Sequence, residues 1–239
     1  MSQYSRPAGL PEILLGKMDY YLKPSLKRKQ GGPFNGQEFR QRIFLQLLDK
    51  MAFSVIVETG TYRGVTTQYM YEMSGFPVHT TEVNPRFFSY AKSRLRRHAG
   101  ISLSNMDSRE FLAKLIRERA LEGQSAFFYL DAHWGEDLPL LEEVQLIFNE
   151  LPTAVVMVDD FKVPWDDFYG YDDYGDGKSL DLGYLGPAIE KYGLSAFFPV
   201  LSGDRETGVP RGCVILSRSP ETTMLLGEMT TLRAFRNDA

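Results

Sequence analysis

A single cysteine, Cys213, stands among 239 residues, so no intrachain disulfide can form and the chain suits a reducing compartment. Only three histidines occur, His79, His98 and His133, scattered along the chain, and no zinc-ligand spacing exists. No apolar run approaches the roughly 18 residues of a membrane helix. The opening MSQYSRPAGLPEILLGK lacks the basic stretch and apolar core of a secretory signal. A cytoplasmic protein with no membrane partner is expected. The net charge of −4 gives the molecule no electrostatic reason to bind nucleic acid. Its one basic cluster, Lys23, Lys27, Arg28 and Lys29, reads as a solvated surface segment rather than a phosphate or RNA contact.

What is present is the composition of an ordinary soluble domain, 43% apolar and 24% charged, without repeats or low-complexity tracts. Residues 1–50 read as an N-terminal helical extension. Their helical stretch runs from Gln37 to Met51, where Phe39, Ile43, Phe44, Leu47 and Leu48 recur at three- and four-residue spacing. Residues 51–239 read as one domain in which strands and helices alternate. Strand-like runs at 54–60, 77–83, 101–107, 126–132 and 154–160 are separated by helical patterns at 65–73, 85–98, 108–122 and 138–150. Such alternation predicts an α/β fold, a doubly wound parallel sheet covered on both faces. Two further runs, 194–200 and 212–217, are joined by a polar stretch too short for a crossover helix, so they should form an antiparallel hairpin.

In such a sheet ligands lie at the carboxyl ends of the strands. The first end reads Glu58-Thr59-Gly60-Thr61-Tyr62-Arg63-Gly64. Gly60 permits a sharp turn, and Gly64 permits a close helix approach. The G-x-G-x-x-G fingerprint for a dinucleotide is absent, and an acid precedes the turn. A carboxylate there repels a pyrophosphate but suits the ammonium of S-adenosylmethionine, with Thr59 and Thr61 as hydroxyl contacts. The second strand ends at Glu82, an acid placed to accept both ribose hydroxyls. The third ends at Asp107-Ser108, which either reach an adenine edge or cap the next helix. Together these ends point to a nucleoside-type cofactor.

The fourth strand ends in Asp131-Ala132-His133-Trp134 and the fifth in Asp159-Asp160-Phe161-Lys162. Neighbouring strand ends would gather Asp131, Asp159 and Asp160, a crowding that a cation relieves. Oxygen ligands favour Mg²⁺, or Mn²⁺ or Ca²⁺, over zinc.

The succession ETGTYRG, TTEVN, YLDAHW and VVMVDD resembles the class I S-adenosylmethionine-dependent methyltransferases. Within them it is similar to the metal-dependent O-methyltransferases of the catechol type and of the macrocin and aminocoumarin-sugar type. The resemblance covers roughly residues 50–218 and implies a Rossmann-like sheet of five parallel strands plus a C-terminal antiparallel hairpin. It implies Asp131, Asp159 and Asp160 as metal ligands, with Asp131 also beside the cofactor. Where the sugar-modifying relatives place a second acid as general base, this chain has His133, an imidazole suited to that task near neutral pH. The catechol type's lysine is replaced by Gly135-Glu136, and Lys162 is the substitute available. The bland alternatives are a structural His133 and a core Trp134.

After the fifth strand, residues 164–186 are crowded with aromatics and aspartates, including Trp165, Phe168, Tyr169, Tyr171 and Tyr174. The segment reads as a lid or substrate wall, or as a subunit contact in a homo-oligomer. The resulting expectation is a Mg-dependent O-methyltransferase of a hydroxylated small molecule, sugar or aromatic. A metal-independent methyltransferase and a cofactor-binding module without turnover are the alternatives.

Overall fold

The computed structural model describes residues 10–28, 31–133 and 137–236. Three apolar runs form the centre of the sheet: β1 (Val55–Thr59), β4 (Ala126–Leu130) and β5 (Val155–Val158), every residue of which is buried. Strands buried on both faces need no polar alternation, which is why these stretches read as continuous hydrophobic runs. Towards one edge lie β2 (Val78–Thr81) and β3 (Ile101–Ser104), parallel to β1. Beyond β5 lie β7 (Val214–Ser217), β6 (Ser195–Pro199) and β8 (Leu232–Ala234), giving the order β3-β2-β1-β4-β5-β7-β6-β8. The first five strands pair in parallel, while β7 runs antiparallel to both β5 and β6. The mostly parallel sheet and the antiparallel C-terminal hairpin follow the expectation; β8, which adds a further antiparallel strand, was not foreseen.

The two-residue period of the strands divides the core between the faces of the sheet. Val57, Phe128, Leu130, Val156 and Val158 face α5 (Ser108–Arg117), α6 (Leu140–Glu150) and α7 (Leu182–Tyr192). Ile56, Phe127, Tyr129, Val155 and Met157 face α2 (Glu38–Lys50) and α3 (Val65–Ser74), and α8 (Pro220–Gly227) closes the same side. Helix α4 (Pro85–Leu95) follows β2. Asn84 caps it by accepting from the Arg86 and Phe87 amides, and Pro85 fills the first turn where no amide is needed.

Two features go beyond the expectation. Residues 10–22 form helix α1, packed on α4 by an Asp19–Arg86 ion pair at 2.6 Å and a hydrogen bond from Ser89 Oγ to the Ile13 carbonyl. The segment 164–186 is anchored on the core, with Tyr169 and Leu180 buried and α7 beginning inside it. Among the described residues no helix is long and apolar enough to cross a membrane.

A tight junction at the site lies between the ends of β1 and β4. Gly60 has φ +86°, and a Cβ there would sit 2.1 Å from the Asp131 carbonyl oxygen. Backbone meets backbone, so neither a rotamer change nor a small shift relieves the clash. Gly60→Ala should therefore destabilise the protein by about 2–4 kcal/mol in urea denaturation, combining left-handed strain with a steric clash. A change within about 0.5 kcal/mol would contradict this close approach.

Candidate active site

The carboxyl ends of β1, β2, β4 and β5 open into one cavity of about 660 Å³. It is lined by Glu58, Gly60, Thr61, Glu82, Asp107, Ser108, Asp131 and Asp160 among others. The parallel register places these ends side by side, so residues far apart in sequence share one rim.

At the β1 end, Glu58 Oε2 accepts from the hydroxyls of Thr67 and Thr80 at 2.5 and 2.6 Å. Burial nonetheless raises its pKa to about 7. Thr61 Oγ1 shares a hydrogen bond with Thr80 Oγ1. At the β2 end, the two oxygens of Glu82 accept the backbone amides of Tyr62 and Asn84, both at 2.7 Å. This carboxylate is fixed before any ligand arrives, although burial lifts it too to about 7. Asp107 caps α5 through the Arg109 amide, so the capping role belongs to it and Ser108 occupies the helix's buried first turn.

Two cofactor candidates stand off the cavity. Thr59 is fully buried beside Glu143 of α6, and Gly64 caps α3 in a left-handed conformation against Leu95.

At the β4 and β5 ends, one oxygen each of Asp131 and Asp160 and one ring nitrogen of His133 lie within 4.8 Å of one another. His133 Nε2 stands 3.9 Å from Asp131 Oδ1, and both ring nitrogens are buried without a hydrogen-bond partner among the described residues. Burial lowers the imidazole's pKa to about 4, leaving the ring neutral at pH 7. Its carbonyl is held by the Tyr174 hydroxyl at 2.7 Å. Asp131 is pushed well above the usual carboxylate range by burial and by the charges of Asp159 and Asp160.

Asp159 does not join this group. Its carboxylate is enclosed, accepting from Arg40 of α2, from the Tyr129 hydroxyl and from the Asp160 amide. Arg40 and Asp159 are both about 1% exposed. Burial would raise the pKa of Asp159, but the Arg40 charge and these hydrogen bonds outweigh it and hold the group below the usual value. Lys162 does not reach the cavity either; its ammonium lies over the Tyr171 ring, 5.2 Å from the centroid. Trp134 lies outside the described residues.

A cation that does reach the acids at the β5 end is Arg211, which pairs with Asp160 at 2.6 Å and with Asp172. Neither arginine was foreseen. Arg40 carried a signal, because it shares the buried phase of Ile43, Phe44 and Leu47 on α2. Arg211 sits in an irregular loop and carried none.

No protein-family model and no curated sequence matches the chain. Solved structures do. One is the O-methyltransferase TomG of Streptomyces achromogenes, involved in tomaymycin synthesis and solved with S-adenosylmethionine. It is 18% identical with a TM-score of 0.52, over 75% of this chain and 80% of that one. An O-methyltransferase of Bacillus cereus, solved with S-adenosylhomocysteine, is 17% identical with a TM-score of 0.50 over 90% and 92% of the two chains. A putative O-methyltransferase of Klebsiella pneumoniae is 16% identical with a TM-score of 0.51 over 88% and 91%. The chain thus has the α/β fold of the class I S-adenosylmethionine-dependent methyltransferases.

The buried acids set a pH dependence. Glu58, Glu82 and Glu143 each titrate near 7 in the fold, against 4.5 for an unperturbed glutamate. Between these limits the folded chain binds more protons than the unfolded one, so stability falls as pH rises through the window. Asp159, shifted the opposite way, loses its contribution only below about pH 3.8. The urea midpoint of the ligand-free protein should be higher at pH 5 than at pH 7.5. A flat or rising profile would contradict the protonated acids.

Proposed function

We propose that this chain is an S-adenosylmethionine-dependent O-methyltransferase in which Asp131, His133 and Asp160 hold a divalent cation beside a hydroxylated small-molecule substrate. The carrying observation is the convergence of those three side chains, with Asp131 and Asp160 lining the cavity that Glu58 and Glu82 also line and His133 buried directly behind them. The shared fold with structures solved with S-adenosylmethionine and S-adenosylhomocysteine supports the cofactor.

The residues fit both groups. A carboxylate pre-oriented by two amides, as Glu82 is, suits a pair of ribose hydroxyls. Glu58, Gly60 and Thr61 then face the methionine part, and Asp107 and Ser108 the adenine. Charge supports the metal: Asp131, Asp159, Asp160 and Asp172, when ionised, outnumber Arg40 and Arg211 by two negative charges. A divalent cation cancels that excess. The unpartnered nitrogens of His133 supply a neutral donor, and two carboxylates with one imidazole suit Mg²⁺ or, better, Mn²⁺. The placement changes the role given to His133, since a buried imidazole with a pKa near 4 serves better as ligand than as proton acceptor.

When bound, the cofactor supplies an electrophilic methyl group and the cation supplies Lewis acidity toward a substrate hydroxyl. The chain's own residues supply position. Arg40 fixes Asp159, whose Oδ1 holds the Asp160 amide in its left-handed turn, φ +53°. Asp172 and Tyr174, from the 164–186 segment, line the cavity as a substrate wall. Positioning of this kind accounts for a large part of a displacement reaction's acceleration.

One observation favours the metal-independent alternative: Arg211 already offsets Asp160 and Asp172. Calorimetry separates the readings. S-adenosylhomocysteine should bind and NAD should not, and Glu82→Ala should weaken the former by about 1.5–3 kcal/mol for each charged hydrogen bond removed. Asp160→Asn and His133→Ala should abolish Mn²⁺ binding while leaving S-adenosylhomocysteine affinity within about threefold, a shift below 1 kcal/mol. Cofactor binding with no Mn²⁺ binding in the unmodified protein would leave the metal-independent enzyme standing. NAD binding without S-adenosylhomocysteine binding would overturn the methyltransferase reading.

A further inference from the structure

The side of helix α1 that faces away from α4 is apolar. The inner side of the helix is used up by α4: Gly16 lies against the Arg86 carbonyl, Asp19 pairs with Arg86, and Tyr20 meets Tyr90 edge to face at 5.3 Å. A surface helix docked this way normally turns charged residues to solvent. Here the opposite side presents Leu14, Leu15, Met18, Tyr21 and Leu22, all exposed, Leu14 at 58% and Leu22 at 67%. Their spacing puts them on one stripe about 120° wide.

The stripe is rimmed by cations. Lys17 flanks it on the helix, and Lys27 lies 4.5 Å from the Tyr20 ring centroid. From α4 and the turn after it, Arg96 donates to the Tyr21 hydroxyl and Arg94 to the Lys27 carbonyl at 3.1 Å. Residues 10–27 and 85–97 together hold eight lysines and arginines against two carboxylates, whereas the rest of the chain holds 19 against 29. A chain of net charge −4 therefore concentrates positive charge in these two segments, with Lys17, Lys27 and Arg96 beside the exposed stripe.

We propose that this face docks on an anionic lipid bilayer, with α1 lying in the interface. An exposed apolar stripe bordered by lysine and arginine matches the acyl boundary and the anionic headgroups above it. At 13 residues the helix is about 20 Å long, too short to span a bilayer and suited to lie flat. A second copy fits less well, because a two-fold contact through this face would bring its basic rims together. Nucleic acid would answer the charge but leave the apolar stripe in water.

The test is sedimentation of the full chain with phosphatidylcholine vesicles and with vesicles in which some of that lipid is replaced by phosphatidylglycerol. Partition into the anionic vesicles should exceed that into the neutral ones at least tenfold. High salt should reduce it by about fivefold for each lysine or arginine whose attraction to the headgroups is screened. The variants L14S/M18S/L22S and K17E/R96E should each reduce it at least tenfold. Their S-adenosylhomocysteine binding should stay unchanged, since the altered side chains lie outside the cavity. Both should still melt in one cooperative transition, since the only hydrogen bond lost among the described residues is the exposed one from Arg96 to Tyr21. Equal partition into both vesicles, or variants that bind like the parent, would overturn the proposal. So would a dimer in sedimentation velocity that L14S/M18S/L22S abolishes, or single-stranded RNA binding without vesicle binding.

Discussion

The buried pair of Arg40 and Asp159 ties the N-terminal part of the chain to the floor of the site. Arg40 lies on α2, before the first strand, and Asp159 at the end of the fifth. Their contact also recruits the Arg211 carbonyl, which accepts from both Arg40 and Gln37. The loop that carries Arg211 is thereby fixed against α2, and its guanidinium is presented to Asp160 and Asp172. Removing either member of the central pair would leave a buried charge without compensation, a change that typically costs about 3–5 kcal/mol.

The same pair explains which acids remain available to a ligand. Carboxylates crowded at neighbouring strand ends cannot all stay ionised in a poorly solvated place. Asp159 stays ionised because Arg40 meets it directly, and its charge then discourages ionisation of Asp131 and Asp160. Those two carboxyls, with the neutral ring of His133, form the part of the cluster that gains most from a cation. The site is thus divided into a pair sealed away from the cavity and a group whose carboxyls, Asp131 and Asp160, reach it.

Much of the fold was legible because a sheet buried on both faces writes itself as apolar runs separated by helical periods. The strand-end acids were legible for a related reason: polar residues directly after such runs have little to do but cap or bind. Asp159 and Asp160 could not be told apart from the sequence, because spacing cannot say which of two adjacent acids faces inward; the left-handed turn at Asp160 sends them to different partners. Lys162 looked suitable by proximity in sequence, but the turn after β5 carries it over Tyr171 instead. Helix α1 was hidden because its apolar stripe faces solvent while Gly16 and Asp19 face α4, the reverse of the pattern that marks an ordinary surface helix. Arg211 depends on a long-range contact between the two ends of the chain, which no local pattern records.

The central claim is that the acids at the ends of β4 and β5 have separate tasks, one sealed by arginine and the others open to a cation. A crystal of the protein soaked with Mn²⁺ and S-adenosylhomocysteine, measured at the manganese edge, tests it directly. One anomalous peak within about 2.0–2.4 Å of oxygens of Asp131 and Asp160 and a nitrogen of His133 is expected. The Arg40–Asp159 pair should remain closed beside it. Manganese bound to Asp159 with Arg40 displaced, or no peak at this cluster at millimolar Mn²⁺, would contradict the account.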